Sequence, residues 1–150
     1  MNGVILMSFP YKEKISYLTN TDNQDDPVGK VLINDYPITH KFRLQALFFN
    51  FSVSNTYQVE SIVRNGDGDI IVKSNNDFSI DIEQVGEDKY TDKAHDRASA
   101  KVGIETPYVN VFKNDAYEFE LNVFNSNGDQ VATAKTYVIT YNEVNDDAGK

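Results

Sequence analysis

One pattern occurs twice in this sequence, sixty residues apart and without a gap. A tyrosine at the start of a strand, a valine near its end and an Asn-x-x-Gly-Asp turn recur in register. The two sets are Tyr57, Val63, Asn65, Gly68 and Asp69, and Tyr117, Val123, Asn125, Gly128 and Asp129. Alternating apolar and polar residues flank each turn, and glycine tolerates the positive φ that a tight hairpin requires. Two equivalent hairpins in one small chain predict an all-β fold, an antiparallel sandwich.

Period-two alternation continues through most of the chain and predicts about eight to nine strands. One of them is expected at 3–9. Residues 83–99 lack this alternation, so they are predicted to form a long loop or to carry one short helix within 85–99. Thr91 or Asp92 is the candidate N-cap of such a helix. No linker interrupts the sequence, so we expect a single sandwich domain over 1–150, with a flexible polar tail at 143–150.

The alternation changes phase within one apolar run. Phe42, Leu44, Ala46 and Phe48 share one parity, whereas Phe49, Phe51 and Val53 share the other. A change of phase indicates a β-bulge or a strand that crosses from one sheet to the other. Large rings at adjacent positions also place apolar surface on both faces of the strand.

The second hairpin resembles a known structural family. Val111, Tyr117 and the Asn125–Gly128 turn are similar to the tyrosine-corner hairpin of fibronectin-III and other immunoglobulin-like sandwiches. In that hairpin a tyrosine opens the penultimate strand, about six residues after an apolar residue. The resemblance covers about thirty residues and implies an immunoglobulin-like β-sandwich. It implies no activity, because such sandwiches carry many unrelated functions.

Charge and composition restrict the partners. The chain has 23 Asp+Glu against 14 Lys+Arg, a formal net charge of −9, and its basic residues form no patch. Nucleic acids and cytoplasmic membrane surfaces are polyanionic, so we expect neither as a partner. The absence of cysteine excludes disulfides and thiolate metal sites. No signal peptide or membrane span is recognisable, so the expected location is cytoplasmic, or on a virion if a phage encodes the protein.

No catalytic constellation is recognisable, so we expect no enzyme and no catalytic residue. The only possible imidazole bases, His40 and His95, are interpreted as surface or loop residues. No cofactor is predicted either. Calcium is the one metal worth considering, because two acidic loops supply hard oxygen ligands. These candidate ligands are Asp22, Asp25, Asp26, Asp67 and Asp69. Solvated turns explain both loops better, because Asp-Gly is itself a turn signature.

Most aromatic residues fit the core by their strand parity, but an excess of them points to binding or self-association. Two apolar rows are expected to need a covering partner, one at Phe48, Phe49 and Phe51 and one at Tyr137, Ile139 and Tyr141. We therefore predict a protein partner or a homodimer built on an outer sheet face or an edge strand. The leading hypothesis is a non-catalytic binding or assembly module, an accessory protein of a bacterium or phage. The alternative is a carbohydrate- or calcium-dependent binding domain, with the tyrosines as a stacking platform.

Overall fold

Strands make up most of the chain. The computed structural model describes residues 12–142, so the predicted strand at 3–9 and the predicted tail at 143–150 lie outside the described residues. The described strands are β1 (Lys14–Asn20), β2 (Lys30–Leu32), β3 (Ile38–His40), β4 (Arg43–Ser52), β5 (Tyr57–Arg64), β6 (Ile70–Phe78), β7 (Tyr90–Asp92), β8 (Arg97–Glu105), β9 (Val109–Val111), β10 (Asp115–Phe124) and β11 (Gln130–Tyr141). No helix among the described residues is long and apolar enough to cross a bilayer.

Two sheets form a β-sandwich. One sheet has the order β1-β4-β8-β7 and the other has the order β2-β11-β10-β5-β6, while β3 pairs separately with β9. The predicted all-β fold is therefore confirmed. The described strands number eleven rather than the predicted eight to nine, because four of them have only three residues each. A three-residue segment is too short to show period-two alternation, so the sequence analysis did not resolve all of them.

The core lies between the two sheets and contains most of the large rings. One cluster is formed around Phe42, Tyr117 and Phe119, and a neighbouring cluster around Phe48, Phe51 and Tyr57. The inward side of β10 contributes to both clusters. Alternate residues of that strand are buried while their neighbours are partly exposed, as the period-two pattern predicts.

The two predicted hairpins are equivalent in the structure. In each turn the asparagine Oδ1 accepts two backbone N–H bonds of 3.0 Å, and Gly68 and Gly128 both adopt φ +85°. Strands β5 and β10 are antiparallel neighbours, and Ser61 lies opposite Leu121, its own counterpart sixty residues later. The hairpins β5–β6 and β10–β11 are therefore related by a local pseudo-twofold axis that passes between these two residues.

A bulge explains the change of phase in β4. The β4–β8 register shifts between Phe48 and Phe51, and Asn50 adopts φ +65°. Phe48 and Phe51 both point into the core with their rings stacked at 4.6 Å, whereas Phe49 is half-buried on the opposite face. The extra residue restores the inward direction after the bulge.

Residues 85–99 contain no α-helix. Three 3₁₀ turns, Ile82–Gln84, Glu87–Lys89 and Lys93–His95, surround the short strand β7. Asp92 precedes the last of these turns, and Asp96 ends it in the left-handed region at φ +54°. Each turn has only three residues, so the single short helix within 85–99 is replaced by separate turns, and Thr91 lies in a strand.

Candidate functional site

An exposed apolar strip lies on the outer face of the five-stranded sheet. We use the name apolar strip for Leu32, Tyr137, Ile139 and Tyr141. Strand alternation points Tyr137, Ile139 and Tyr141 outward, while Val138 between them is buried in the core. Leu32 joins them because β2 pairs in parallel with β11 and places Leu32 opposite Tyr141. Tyr137 is 61% exposed, Ile139 54% and Leu32 47%.

Cations border this strip on two sides. The Lys30 ammonium lies 4.9 Å from the centroid of the Tyr141 ring, which is a cation–π contact. Lys135 lies two residues before Tyr137 on the same face, with its Nζ 3.8 Å from Glu118 and from Glu120. The strip therefore combines exposed aromatic and aliphatic groups with a charged border, a composition found at protein interfaces.

A charged cluster continues from the strip across the same face. The Arg64 guanidinium lies between two carboxylates, with Nη1 at 3.0 Å from Glu118 and 2.8 Å from Glu120. Asn122 donates from Nδ2 to Glu120 at 2.7 Å and to Glu60 at 3.0 Å. This donation, together with Arg64, lowers the pKa of Glu120 below its ordinary value. The ionised form of Glu120 is thus favoured, and the charges of Arg64, Glu118 and Glu120 are paired within the chain.

The self-association candidates separate into two groups. Tyr137 and Tyr141 lie in the apolar strip, where they are available to a partner. Phe48 and Phe51 are fully buried between the sheets, so their expected place on an association surface is wrong. The bulge at Asn50 turns both rings inward. Of the three phenylalanines expected to cover both faces of the strand, only Phe49 remains on the outer face. That ring is half-buried on the outer face of the other sheet.

The candidate calcium ligands serve as turn residues. Asp22 Oδ1 accepts the backbone N–H groups of Gln24 and Asp26 at 2.8 and 3.0 Å, and Asp25 contacts Arg43 at 3.2 Å. Asp67 and Asp69 donate their backbone N–H groups to Asn65 within the first hairpin turn. Within residues 12–142, no three acidic or histidine side chains are grouped closely enough to hold a metal ion.

The two histidines lie apart on different elements. His40 ends β3 with its ring 4.7 Å from that of Phe42, and burial lowers its pKa. His95 lies in the last 3₁₀ turn with Nδ1 2.7 Å from Asp92 Oδ2, and its side chain is 75% exposed.

Leu32 and the charged cluster are not recognisable as site residues from the sequence alone. Leu32 reaches the strip only through the parallel pairing of β2 with β11, which joins segments more than one hundred residues apart. No local pattern identifies that pairing. Arg64 and Glu118 do occupy polar positions of the two hairpins, and their cross-strand pairing follows once β5 and β10 are known to be neighbours.

Comparison with known proteins identifies relatives of the fold. No protein-family model and no curated protein matches the chain. Among solved structures, a similar one is a bacterial adhesin from Mobiluncus mulieris that contains intramolecular disulfide, isopeptide and ester bond cross-links. Its TM-score is 0.58 at 10% identity, over 87% of this chain and 58% of the adhesin.

Domains of two glycosidases are also similar. A family 2 glycosyl hydrolase from Bacteroides cellulosilyticus gives a TM-score of 0.58 at 7% identity, over 85% of this chain and 15% of the hydrolase. A β-glucuronidase from Bacteroides uniformis gives 0.56 at 7% identity, over 85% and 14% respectively. The chain therefore spans little more than half of the adhesin and about one seventh of the glycosidases. At these identities the similarity shows a shared β-sandwich fold.

Proposed function

We propose that this protein is a non-catalytic binding or assembly module that binds a protein partner through the apolar strip. The observation that carries this proposal is the exposure of Leu32, Tyr137 and Ile139 side by side on one sheet face. Single exposed apolar residues are ordinary, but a contiguous group with a polar border is typical of an interaction site.

The shape of the strip favours a macromolecular partner. Its side chains stand on neighbouring strands of a sheet, so they form an open surface that a flat protein face can cover. Burying each large side chain contributes roughly 1.5–3 kcal/mol, from which the cost of lost translational and rotational freedom is subtracted. Three or four such groups are enough for a transient or moderately strong complex.

Two further observations support an accessory role in a bacterium or phage. The similar domains occur as parts of longer bacterial chains, an adhesin and two glycosidases. Lysine, at 11 residues, far exceeds arginine, at 3, and asparagine is abundant, a composition common in organisms and phages with AT-rich genomes.

The test compares matched double variants. Tyr137→Ser with Ile139→Thr removes the centre of the strip, while Tyr108→Ser with Ile82→Thr removes side chains of similar exposure, 65% and 54%, elsewhere. The wild type and the two double variants are each used as bait in a lysate of the cells that make the protein. Every protein recovered is purified, and its binding to each of the three baits is measured by calorimetric titration. We expect one protein to bind the wild type and the control double variant, and to lose at least about tenfold in affinity with the strip variant. Equal binding by all three baits contradicts the proposal.

Carbohydrate binding is the second candidate, favoured by the exposed ring of Tyr137. An aromatic ring that lies open on a sheet face can stack against a sugar ring. A glycan array with the same variants separates the two functions. Binding of a glycan by the wild type and its loss in Tyr137→Ser would favour this second candidate over the protein partner.

A further inference from the structure

Strand β8 has an open edge over most of its length. The strand has nine residues, but β7 pairs with it only at Arg97 and Ala98. Within the part of the chain that the structure describes, residues 99–105 have a strand neighbour on one side only, which is β4. The 3₁₀ turn Glu87–Lys89 contacts the start of this stretch, where Ser99 Oγ donates to Lys89 O at 3.3 Å, so the edge is open from Lys101 onward. An open edge presents unpaired backbone donors and acceptors, and proteins either block such an edge or use it.

The backbone of three residues points toward this opening. Thr106 donates its N–H to Phe42 O at 3.0 Å, on the β4 side, and Asp96 O accepts from Val53 on the same side. Backbone groups alternate in direction along a strand, so even-numbered residues of β8 face β4. The N–H and C=O groups of Lys101, Gly103 and Glu105 consequently face the open edge.

Gly103 has no role inside the chain that requires glycine. Its φ is not in the left-handed region, and a Cβ added to it would meet nothing within 4 Å. Glycine within a strand is destabilising relative to alanine, and it often marks a place where another backbone approaches closely. The middle of the open edge is therefore suited to the approach of a second strand.

We propose that a second copy of this chain pairs with this edge, β8 against β8 in antiparallel orientation, with Gly103 opposite the partner's Gly103. This register places Lys101 opposite Glu105 of the partner subunit, twice across the twofold axis. It also places the inward-facing side chains of Val102 and Ile104 opposite each other. Centring the pairing on Lys101 instead would bring two ammonium groups together, so charge selects the Gly103 register.

Two other observations agree with this pairing. Neither Lys101 nor Glu105 makes an ion pair with another described residue, so both charges are free to pair across the axis. Two grooves also border the edge. Lys101 and Gly103 line one of about 440 Å³, whose far side is formed by residues of the connection between β6 and β7, and Val102 to Glu105 line one of about 240 Å³ beside Phe78.

This dimer is independent of the proposed function. It uses the edge of the four-stranded sheet, whereas the apolar strip lies on the other sheet. The paired β8 strands join two four-stranded sheets into one continuous sheet, with a closed twofold arrangement that leaves the strip of each subunit exposed.

Charge reversal tests the register in solution. Sedimentation equilibrium should show the wild type in exchange between 17.0 kDa and twice that mass at micromolar concentration. Lys101→Glu should weaken association by about tenfold or more, because it places like charges opposite each other twice. Adding Glu105→Lys should restore it to within about threefold, because the pairs are re-formed with inverted sign. Lys113→Glu is the control, since it changes the net charge equally at an exposed position outside β8, and it should be almost neutral.

Cross-linking gives a second and direct measurement. The chain contains no cysteine, so Gly103→Cys introduces a single thiol. Directly opposed residues of antiparallel strands have Cα atoms about 5.5 Å apart, within the range of a disulfide. Mild oxidation should convert Gly103→Cys to a covalent dimer much faster than Lys101→Cys, whose partner thiol would lie four residues away along the strand. A wild type that stays monomeric up to about 100 μM overturns the proposal, because a dissociation constant above that value is far weaker than that of most specific complexes. So does an association that is lost in the strip double variant but unaffected by Lys101→Glu.

Discussion

At the scale of single residues, the Tyr57 hydroxyl joins three parts of the sandwich. It accepts the backbone N–H of Ser52 at 2.8 Å and donates to Glu13 at 2.9 Å, and both the ring and Ser52 are buried. This is the bond of a tyrosine corner, in which the ring closes the turn that precedes its own strand. The sequence resemblance places the corner at Tyr117, yet the backbone bond that defines it is made by Tyr57, the counterpart of Tyr117 in the first hairpin.

Removing this hydroxyl should destabilise the fold measurably. Tyr57→Phe leaves the buried Ser52 N–H and the Glu13 carboxylate without their partner, and we expect a loss of about 1–3 kcal/mol in the free energy of unfolding. Urea denaturation followed by circular dichroism measures it. Tyr108→Phe is the control, because its ring is 65% exposed, and it should change stability by less than about 0.5 kcal/mol. An equal effect of the two variants would show that the corner bond contributes nothing.

The burial of Tyr57 also makes the stability of the fold depend on pH at high pH. Burial raises the pKa of Tyr57 to about 12, and burial also raises the pKa of Tyr117 to about 12. A phenol with a higher pKa in the folded chain than in the unfolded chain stabilises the fold fully below pH 10, and this contribution is lost as the pH rises through 12. We therefore expect the free energy of unfolding to fall between pH 10 and 12, by roughly 1–3 kcal/mol for each tyrosine.

Variants can show which tyrosine causes the fall in the free energy of unfolding with pH. Tyr57→Phe removes one of the two titrating phenols, so its stability should fall less steeply over this pH range than that of the wild type. Tyr137→Phe makes the same change at an exposed ring and serves as the comparison. Denaturant titrations at half-unit steps of pH provide the comparison. A slope that is the same in all three proteins would mean that neither burial nor the corner controls the alkaline transition.

At the scale of elements, the two hairpins are the part of the fold that the sequence predicts best. Each turn is defined by residues within five positions of each other, and the backbone follows from an asparagine that caps the turn and a glycine at φ +85°. Such local rules can be read without knowing what packs on the strands. The bulge in β4 was also predictable, because the parity of the phenylalanines changes there.

Because the two turns are equivalent, replacing the glycine of either turn should lower the free energy of unfolding by the same amount. Gly68→Ala and Gly128→Ala meet no atom within 4 Å, so each should lose only the backbone strain of a positive φ, about 1–2 kcal/mol. Gly29→Ala is the matched control, because it also has open space but no positive φ, and it should be neutral or slightly stabilising. Thermal unfolding of the three variants measures the costs. A difference of more than about 1 kcal/mol between the two turn variants would contradict their equivalence.

Pairings between distant elements leave no pattern in the sequence. The parallel contact of β2 with β11 and the short pair β3–β9 depend on how the sheets pack, and neither has a local signature. The separate 3₁₀ turns of residues 82–95 have the same origin, because β7 forms only where it meets β8. For this reason neither the place of Leu32 in the apolar strip nor the open edge at Gly103 has a signature in the sequence.

At the scale of the whole molecule, charge and self-association oppose each other. Each chain carries a formal net charge of −9, so two chains repel at long range. The Debye length falls from about 30 Å at 10 mM salt to about 8 Å at 150 mM, so added salt removes this repulsion between the bodies of two subunits. The Lys101–Glu105 pairs proposed for the dimer act at contact distance and are weakened much less over the same range.

The dimer should therefore tighten with salt at first. We expect the dissociation constant from sedimentation to fall several-fold between about 10 and 150 mM sodium chloride and then to level off, because the remaining charge pairs lie within one Debye length. Asp67→Asn with Asp129→Asn lowers the repulsion at two exposed turns outside β8, so this variant should associate more tightly than the wild type at 10 mM and equally at 150 mM. A dissociation constant that rises steadily from the lowest salt concentration would mean that attraction between opposite charges controls association, and that the repulsion of the two acidic chains does not.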